Sequence, residues 1–141
     1  MITCSRSVEF DAGHRVLNHE SKCRTVHGHR YKVDITAQID ELDDIGRVVD
    51  FSVLKQVIGG WIDEQWDHAM VLNKDDPMLQ HFKDDDHALK PPYVMDTNPT
   101  AENMAKFLLD KSNELLAGYE GLKVISVVVH ETPNCKAEAT F

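Results

Sequence analysis

The sequence predicts an α+β domain in which a four-stranded antiparallel sheet carries two helices on one face. Three observations lead there. Residues 29–39 alternate, with Tyr31, Val33, Ile35, Ala37 and Ile39 on one side and Arg30, Lys32, Asp34, Thr36 and Gln38 on the other. Phe51, Leu54, Val57, Ile58, Trp61 and Ile62 recur at helical spacing. Residues 123–130 are apolar in both parities, with Ile125, Val127 and Val129 opposing Val124 and Val128. A strand of that kind reads as buried on both faces, so the sheet is expected to be covered on its second face by another subunit.

Each element follows in order. Residues 2–10 read as the first strand, with Val8 and Phe10 on one face, and residues 29–39 as the second. Residues 40–46 form an acidic turn. Asp50 is expected to cap the first helix, which Gly59 and Gly60 each weaken by about 1 kcal/mol relative to alanine. Residues 73–92 are polar, with Asp84 to Asp86 in a row, a short helix expected near 78–82 and a brief strand at 93–95. Asn98 is expected to cap the second helix and Pro99 to take its first position. Met104, Phe107, Leu108, Lys111 and Leu115 then recur on one side, until Gly118. Strands at 123–130 and 136–141 complete the order β, β, α, α, β, β.

A length of 141 residues fits one domain over 1–141. With 42% hydrophobic and 28% charged residues, the composition is that of a soluble globular chain and excludes disorder. The longest apolar run, Ala69 to Leu72, is too short for a membrane span, and the first residues lack the pattern of a secretory signal. Three widely spaced cysteines, Cys4, Cys23 and Cys135, fit a reducing cytoplasm. The net charge of −9 disfavours nucleic acid as a partner. It is uneven, however. Residues 14–33 carry Arg15, Lys22, Arg24, Arg30 and Lys32 against Glu20, a net +4 that leaves −13 on the remainder. Such an island suits a small anionic ligand, and equally a solvated surface.

Among eight histidines, His14, His27 and His29 stand out. His27 and His29 flank Gly28, so in an extended chain both imidazoles point the same way. His14 closes the first strand, where an antiparallel neighbour would bring it beside them. Three neutral imidazoles with a free fourth position make a catalytic zinc site, although an isolated H-x-H is more often a turn feature. Cys23, four residues before His27, reads as a fourth ligand, a reactive thiol or a core residue; its charged neighbours Lys22 and Arg24 make the core reading least attractive. Adjacent Asp67 and His68 do not readily pair with each other. They serve one site from a turn, or simply end a helix. By parity, Glu131 continues the face of Val127 and Val129. A carboxylate there binds a guanidine-like ligand edge or pairs with a buried arginine.

Taken together these stretches resemble the family of 6-pyruvoyl- and 6-carboxy-tetrahydropterin synthases. Six carry the resemblance in order: residues 10–14 (FDAGH), the Cys23 to His29 stretch, Val49-Asp50-Phe51, Asp67-His68 with Leu72-Asn73, residues 98–103 (NPTAEN), and residues 130–133 (HETP). The resemblance implies zinc held by His14, His27 and His29, Cys23 as catalytic base, and Asp67 and His68 as its partner dyad. Glu131 would anchor the pterin ring and share in the charge relay, with Thr100 and Glu102 also binding substrate. Only Arg24, Thr25 and Val26 separate Cys23 from the H-G-H stretch, a spacing similar to that of the 6-carboxy branch of queuosine biosynthesis. The implied substrate is 7,8-dihydroneopterin triphosphate. In this branch triphosphate leaves, a carbon–carbon bond breaks and acetaldehyde is released. The 6-pyruvoyl reaction, which lacks that cleavage, is the near alternative, and a non-catalytic zinc-binding assembly protein the distant one. The family's tunnelling fold implies trimers closing a twelve-stranded barrel, two of which make a hexamer. Two departures stand out: Trp66 replaces a commonly aliphatic residue, and the stretch around Asp84 to Lys90 is longer than in the shortest members.

Overall fold

Alternation builds the centre of the sheet. β1 (Ile2–His14) and β2 (His27–Ile39) pair antiparallel along their whole lengths. Val8, Phe10, Ala12 and His14 of β1 share a face with His29, Tyr31, Val33, Ile35 and Ala37 of β2. That face is apolar and lies under the helices; the other is polar. A computed structural model describes residues 1–82 and 90–141, so the acidic run Asp84 to Asp86 and most of the long stretch before Lys90 lie outside the described residues.

The first helix begins where its cap requires. Asp50 Oδ1 accepts the Ser52 N–H at 2.8 Å. α1 (Phe51–Leu54) continues through a π-helical stretch (Lys55–Gly59) into α2 (Gly60–Gln65). Leu54, Ile58 and Ile62 are fully buried, whereas Phe51 is exposed and leaves the expected stripe. Gly59 has a packing reason: a Cβ there would lie 3.2 Å from Val8 Cγ1, so the glycine lets the helix settle onto β1.

The sheet has six strands and is mixed, a correction to the expected four antiparallel strands. β3 (Met70–Asn73) runs parallel to β1, and β4 (Tyr93–Met95) parallel to β3. With four and three residues, neither is long enough to display a period of two. β5 (Lys123–Thr132) and β6 (Cys135–Thr140) extend the other side, giving the order β4-β3-β1-β2-β5-β6. The short helix expected near 78–82 is present as a 3-10 helix, Pro77–Phe82.

Two further expectations change. α3 (Ala101–Leu115) is capped by Thr100, whose Oγ1 accepts the Asn103 N–H at 3.1 Å; Asn98 is not the cap and Pro99 precedes the helix. In β5 the pairing shifts between Thr36↔Ser126 and Ala37↔Val124, which leaves Ile125 as an extra, bulged residue. The bulge swings Val124 onto the helix face with Val127 and Val129, all fully buried. The bulge thus brings residues of both parities onto the helix-covered face of one strand. On the open face Ser5 and Thr36 share a hydrogen bond of 2.7 Å, and Asp34 accepts from Ser7 and faces His130 Nε2 at 2.8 Å.

Leu108 is fully buried in the core between α3 and the sheet. Leu108→Ala is expected to cost about 2–5 kcal/mol. The check is a lower urea midpoint at an unchanged m-value.

Candidate metal centre and active site

The hairpin register assembles the histidines. His14 faces His27 across the strands and Ala12 faces His29, so all three imidazoles project from one face at one end of the pair. One ring nitrogen of each lies within 4.8 Å of those of the other two. His14 is buried; His27 and His29 are partly buried. Hydrogen bonds on the far side settle how two of the rings present themselves. His14 Nδ1 donates to the Pro99 carbonyl at 2.7 Å, and His27 Nδ1 donates to the Thr25 carbonyl at 2.6 Å. A neutral imidazole has one N–H, so both Nε2 atoms carry lone pairs. These face each other at 3.1 Å. Two acceptors so placed need a cation between them, and carbonyl-oriented imidazoles are how proteins hold a metal. The donor set therefore fits a divalent metal.

The electrostatics agree. Burial first, then the neighbouring imidazoles, push the His14 pKa down to about 4 against the pull of the Pro99 carbonyl. His29 is lowered by burial, with Glu131 opposing. Glu131 Oε2 lies 4.0 Å from His29 Nε2. Its position follows from a second bulge: His130 pairs with Lys136 and Thr132 with Cys135, so Glu131 is the extra residue. Among the described residues the side chain it approaches is His29, not the arginine of the competing reading. Tyr31 packs edge-on to His14 and His29 with its hydroxyl unpaired, and burial together with the Glu131 charge drives its pKa upward.

Asp67 and His68 do pair, which corrects the expectation. His68 Nδ1 lies 3.0 Å from Asp67 Oδ2. The reason is a left-handed backbone at His68, φ 59°, which turns neighbouring side chains toward each other. Asp67 Oδ1 accepts the Asp11 N–H at 3.0 Å, and the His68 N–H returns to the Asp11 carbonyl at 2.6 Å. Burial raises the Asp67 carboxyl, but the His68 ring, the Asp11 N–H and nearby cationic charge outweigh it and leave it below its ordinary value. His29 and His68 both line a cleft of about 470 Å³, with Asp11, Arg30 and Met70. Gly13 and Gly28 are register partners in its wall, and a Cβ on Gly13 would strike the Met70 sulfur.

The other candidates fall around this centre. Cys23 is partly buried in a short 3-10 turn, Lys22–Arg24, and its thiol is not one of the converging ligand atoms. Thr100 caps α3, and Glu102 is exposed in that helix's first turn. The basic island is divided: Arg15 pairs with buried Asp76, Arg30 with Asp11 at 3.0 Å, and Lys32 approaches Asp34, while Lys22 and Arg24 are exposed. Sequence reasoning missed the task of Asn98. Its side chain exchanges hydrogen bonds with the Leu17 backbone, and its carbonyl receives Asn103 Nδ2. This frame fixes the Pro99 carbonyl that orients His14. An Asn-Pro pair followed by a cap was the available signal.

Protein stripped of metal is expected to lose stability as pH falls from 6.5 to about 4. In that window unfolded chains take up a proton at His14 while folded chains do not, so protonation favours unfolding. The loss is on the order of 3 kcal/mol. Urea melts of chelator-treated protein across this range check it; a flat profile would refute it.

Three comparisons bear on this arrangement. The model of the 6-pyruvoyl tetrahydropterin synthase family matches residues 3–140. A relative from Rickettsia bellii, named 6-carboxy-5,6,7,8-tetrahydropterin synthase, is 40% identical over 98% of this chain and 99% of its own. One of the same name from Aquifex aeolicus is 33% identical over 95% and 94%. A crystal structure of an uncharacterized protein from Wolinella succinogenes superposes with a TM-score of 0.81 at 26% identity, covering 99% of both chains. The 6-pyruvoyl tetrahydropterin synthase of Caenorhabditis elegans, at 22% identity and a TM-score of 0.68 over 99% and 95%, shares the fold. No helix among the described residues is long and apolar enough to cross a membrane. With a match running from the first strand to the last and a histidine cluster built by the central hairpin, the chain belongs to the 6-pyruvoyl tetrahydropterin synthase family.

Proposed function

We propose that this chain acts as a zinc-dependent 6-carboxy-5,6,7,8-tetrahydropterin synthase. It would convert 7,8-dihydroneopterin triphosphate to 6-carboxytetrahydropterin, acetaldehyde and triphosphate, as a lyase of queuosine or related 7-deazaguanine synthesis in the cytoplasm. The observation that carries this is the convergence of His14, His27 and His29 beside a cleft walled by His68, in a chain whose 33–40% identical relatives bear that name. The short spacing from Cys23 to His27 supports the same branch.

Zinc bound by the three imidazoles would supply Lewis acidity toward the hydroxyls of the substrate side chain. The protein's own groups do the rest. Glu131, beside His29, accepts the amino and ring N–H groups of the pterin and so orients the side chain toward the histidines. Cys23, outside the converging ligands, removes a proton. His68, held in one orientation by Asp67, moves another. Thr100 and Glu102, at the start of α3, complete the substrate contacts. The domain, residues 1–141, would assemble through the open edge of β6 and the length of β1 that β3 leaves unpaired. The four long strands of each subunit would close a twelve-stranded barrel in a trimer, and two trimers a hexamer.

Mass spectrometry of the products from 7,8-dihydroneopterin triphosphate tests the activity. Carboxytetrahydropterin with equimolar acetaldehyde is expected; a pyruvoyl product without acetaldehyde would assign the chain to the 6-pyruvoyl reaction. His27→Ala is expected to lose the metal, since two imidazoles bind weakly. Cys23→Ala is expected to keep it and lose turnover by about a hundredfold or more. Metal analysis beside kinetics separates base from ligand. Glu131→Gln places a donor against the pterin's donors. A large rise in KM is expected, with zinc content and melting temperature unchanged; normal affinity with a lowered melt would mean a structural carboxylate.

A further inference from the structure

The turn that presents Asp67 and His68 is held by an interaction from far along the chain. In a regular helix the Asp67 N–H would donate to the Asp63 carbonyl. Here it donates to the Ile62 carbonyl at 2.9 Å, which also receives the Trp66 N–H at 2.8 Å. The end of α2 therefore widens into a π-type turn on one acceptor, and the Asp67 N–H no longer reaches the Asp63 carbonyl. The Asp67 carbonyl likewise lies past the helical ladder, just before the chain reverses at His68 with φ 59°. Lys90 answers both. Its Nζ donates to the Asp63 carbonyl at 2.7 Å and to the Asp67 carbonyl.

Besides the Ala69 N–H to Trp66 carbonyl bond that spans it at 3.0 Å, the turn is clamped by the exchange with the Asp11 backbone, in which the His68 N–H reaches the Asp11 carbonyl at 2.6 Å. That clamp fixes the side of the turn toward β1. Lys90 fixes the opposite side, where the carbonyls point, so it opposes relaxation of His68 out of a left-handed conformation that a side chain disfavours. If His68 relaxed, its ring would leave Asp67 Oδ2 and the cleft.

We propose that Lys90 is a positioning residue for the Asp67–His68 pair: its ammonium replaces the missing helical hydrogen bond and holds the turn in the shape that joins the two side chains. The catalytic consequence rests on the function proposed above; the structural one does not. The test uses the full chain with Lys90→Met and Lys90→Arg, read by hydrogen exchange at the His68 amide, metal content, and kcat and KM on 7,8-dihydroneopterin triphosphate. In Lys90→Met the His68 amide should exchange about tenfold faster or more. Its kcat should fall about tenfold or more, with KM within about twofold and metal content unchanged. Lys90→Arg, which keeps a charged donor, should restore both readouts in large part. Should Lys90→Met not fold, Lys90→Gln, which keeps one donor group, is read in the same way.

Unchanged exchange at His68 overturns the proposal whatever happens to the rate, and so does faster exchange with a normal kcat. A raised KM at normal kcat would make Lys90 a substrate contact. If the wild-type chain turns over none of this substrate, the function proposed above fails, and exchange at His68 still decides what Lys90 does.

Discussion

The register of β1 against β2 is the constraint on which the rest of the molecule depends. It places Phe10 opposite Tyr31, Ala12 opposite His29 and His14 opposite His27. Because side chains alternate along a strand, the apolar residues that drive the pairing and the imidazoles at its end share a face. A slip of one residue would expose Tyr31, Val33 and Ile35 and scatter the histidines. Phe10 and Tyr31 stack at 5.0 Å in the core, so the contact that resists slippage lies one turn of the pleat from the cluster. Burial of the sheet thus sustains a juxtaposition of imidazole lone pairs that would be unfavourable without a cation.

Around this hairpin, departures from regular geometry gather at the site. Glu131 faces His29 because β5 carries an extra residue there. Asp67 meets His68 because one backbone torsion is left-handed. The Pro99 carbonyl meets His14 because Asn98 ties that loop to Leu17 and Asn103 to Asn98. Each irregularity costs backbone freedom or a ladder hydrogen bond, and each is surrounded by bonds that offset the cost. Elsewhere the long strands are regular apart from the bulge at Ile125, which serves packing by delivering Val124 to the core.

The two faces of the sheet separate stability from chemistry. The covered face carries the aliphatic and aromatic core, closed by α1, α2 and α3. The open face carries hydroxyls and charges that satisfy one another, as in the contacts joining Ser7, Asp34 and His130. The cationic excess of residues 14–33 is also largely spoken for. Arg15 is locked to buried Asp76 and Arg30 to Asp11, leaving Lys22 and Arg24 exposed beside Cys23. Where a local charge matters therefore depends on the partners that folding supplies.

The amino-acid sequence alone determined which residues alternate, which recur at helical spacing, and that His27 and His29 share a parity; these are local regularities, and β2, the first helix and α3 follow from them. It also carried enough ordered short stretches to place the chain in its family. Only the tertiary structure decided the matters that turn on a single residue. Two parallel strands of four and three residues show no period of their own and exist because β1 offers them an edge. Thr100 caps α3 because Asn98 is engaged with Leu17, a residue distant in the chain. Val124 turns inward, Glu131 reaches His29 and Asp67 joins His68 through two bulges and one positive φ. A periodic pattern reports direction only while each residue advances the chain by the same angle. One inserted residue or one reversed torsion breaks that rule, and packing against remote segments chooses where.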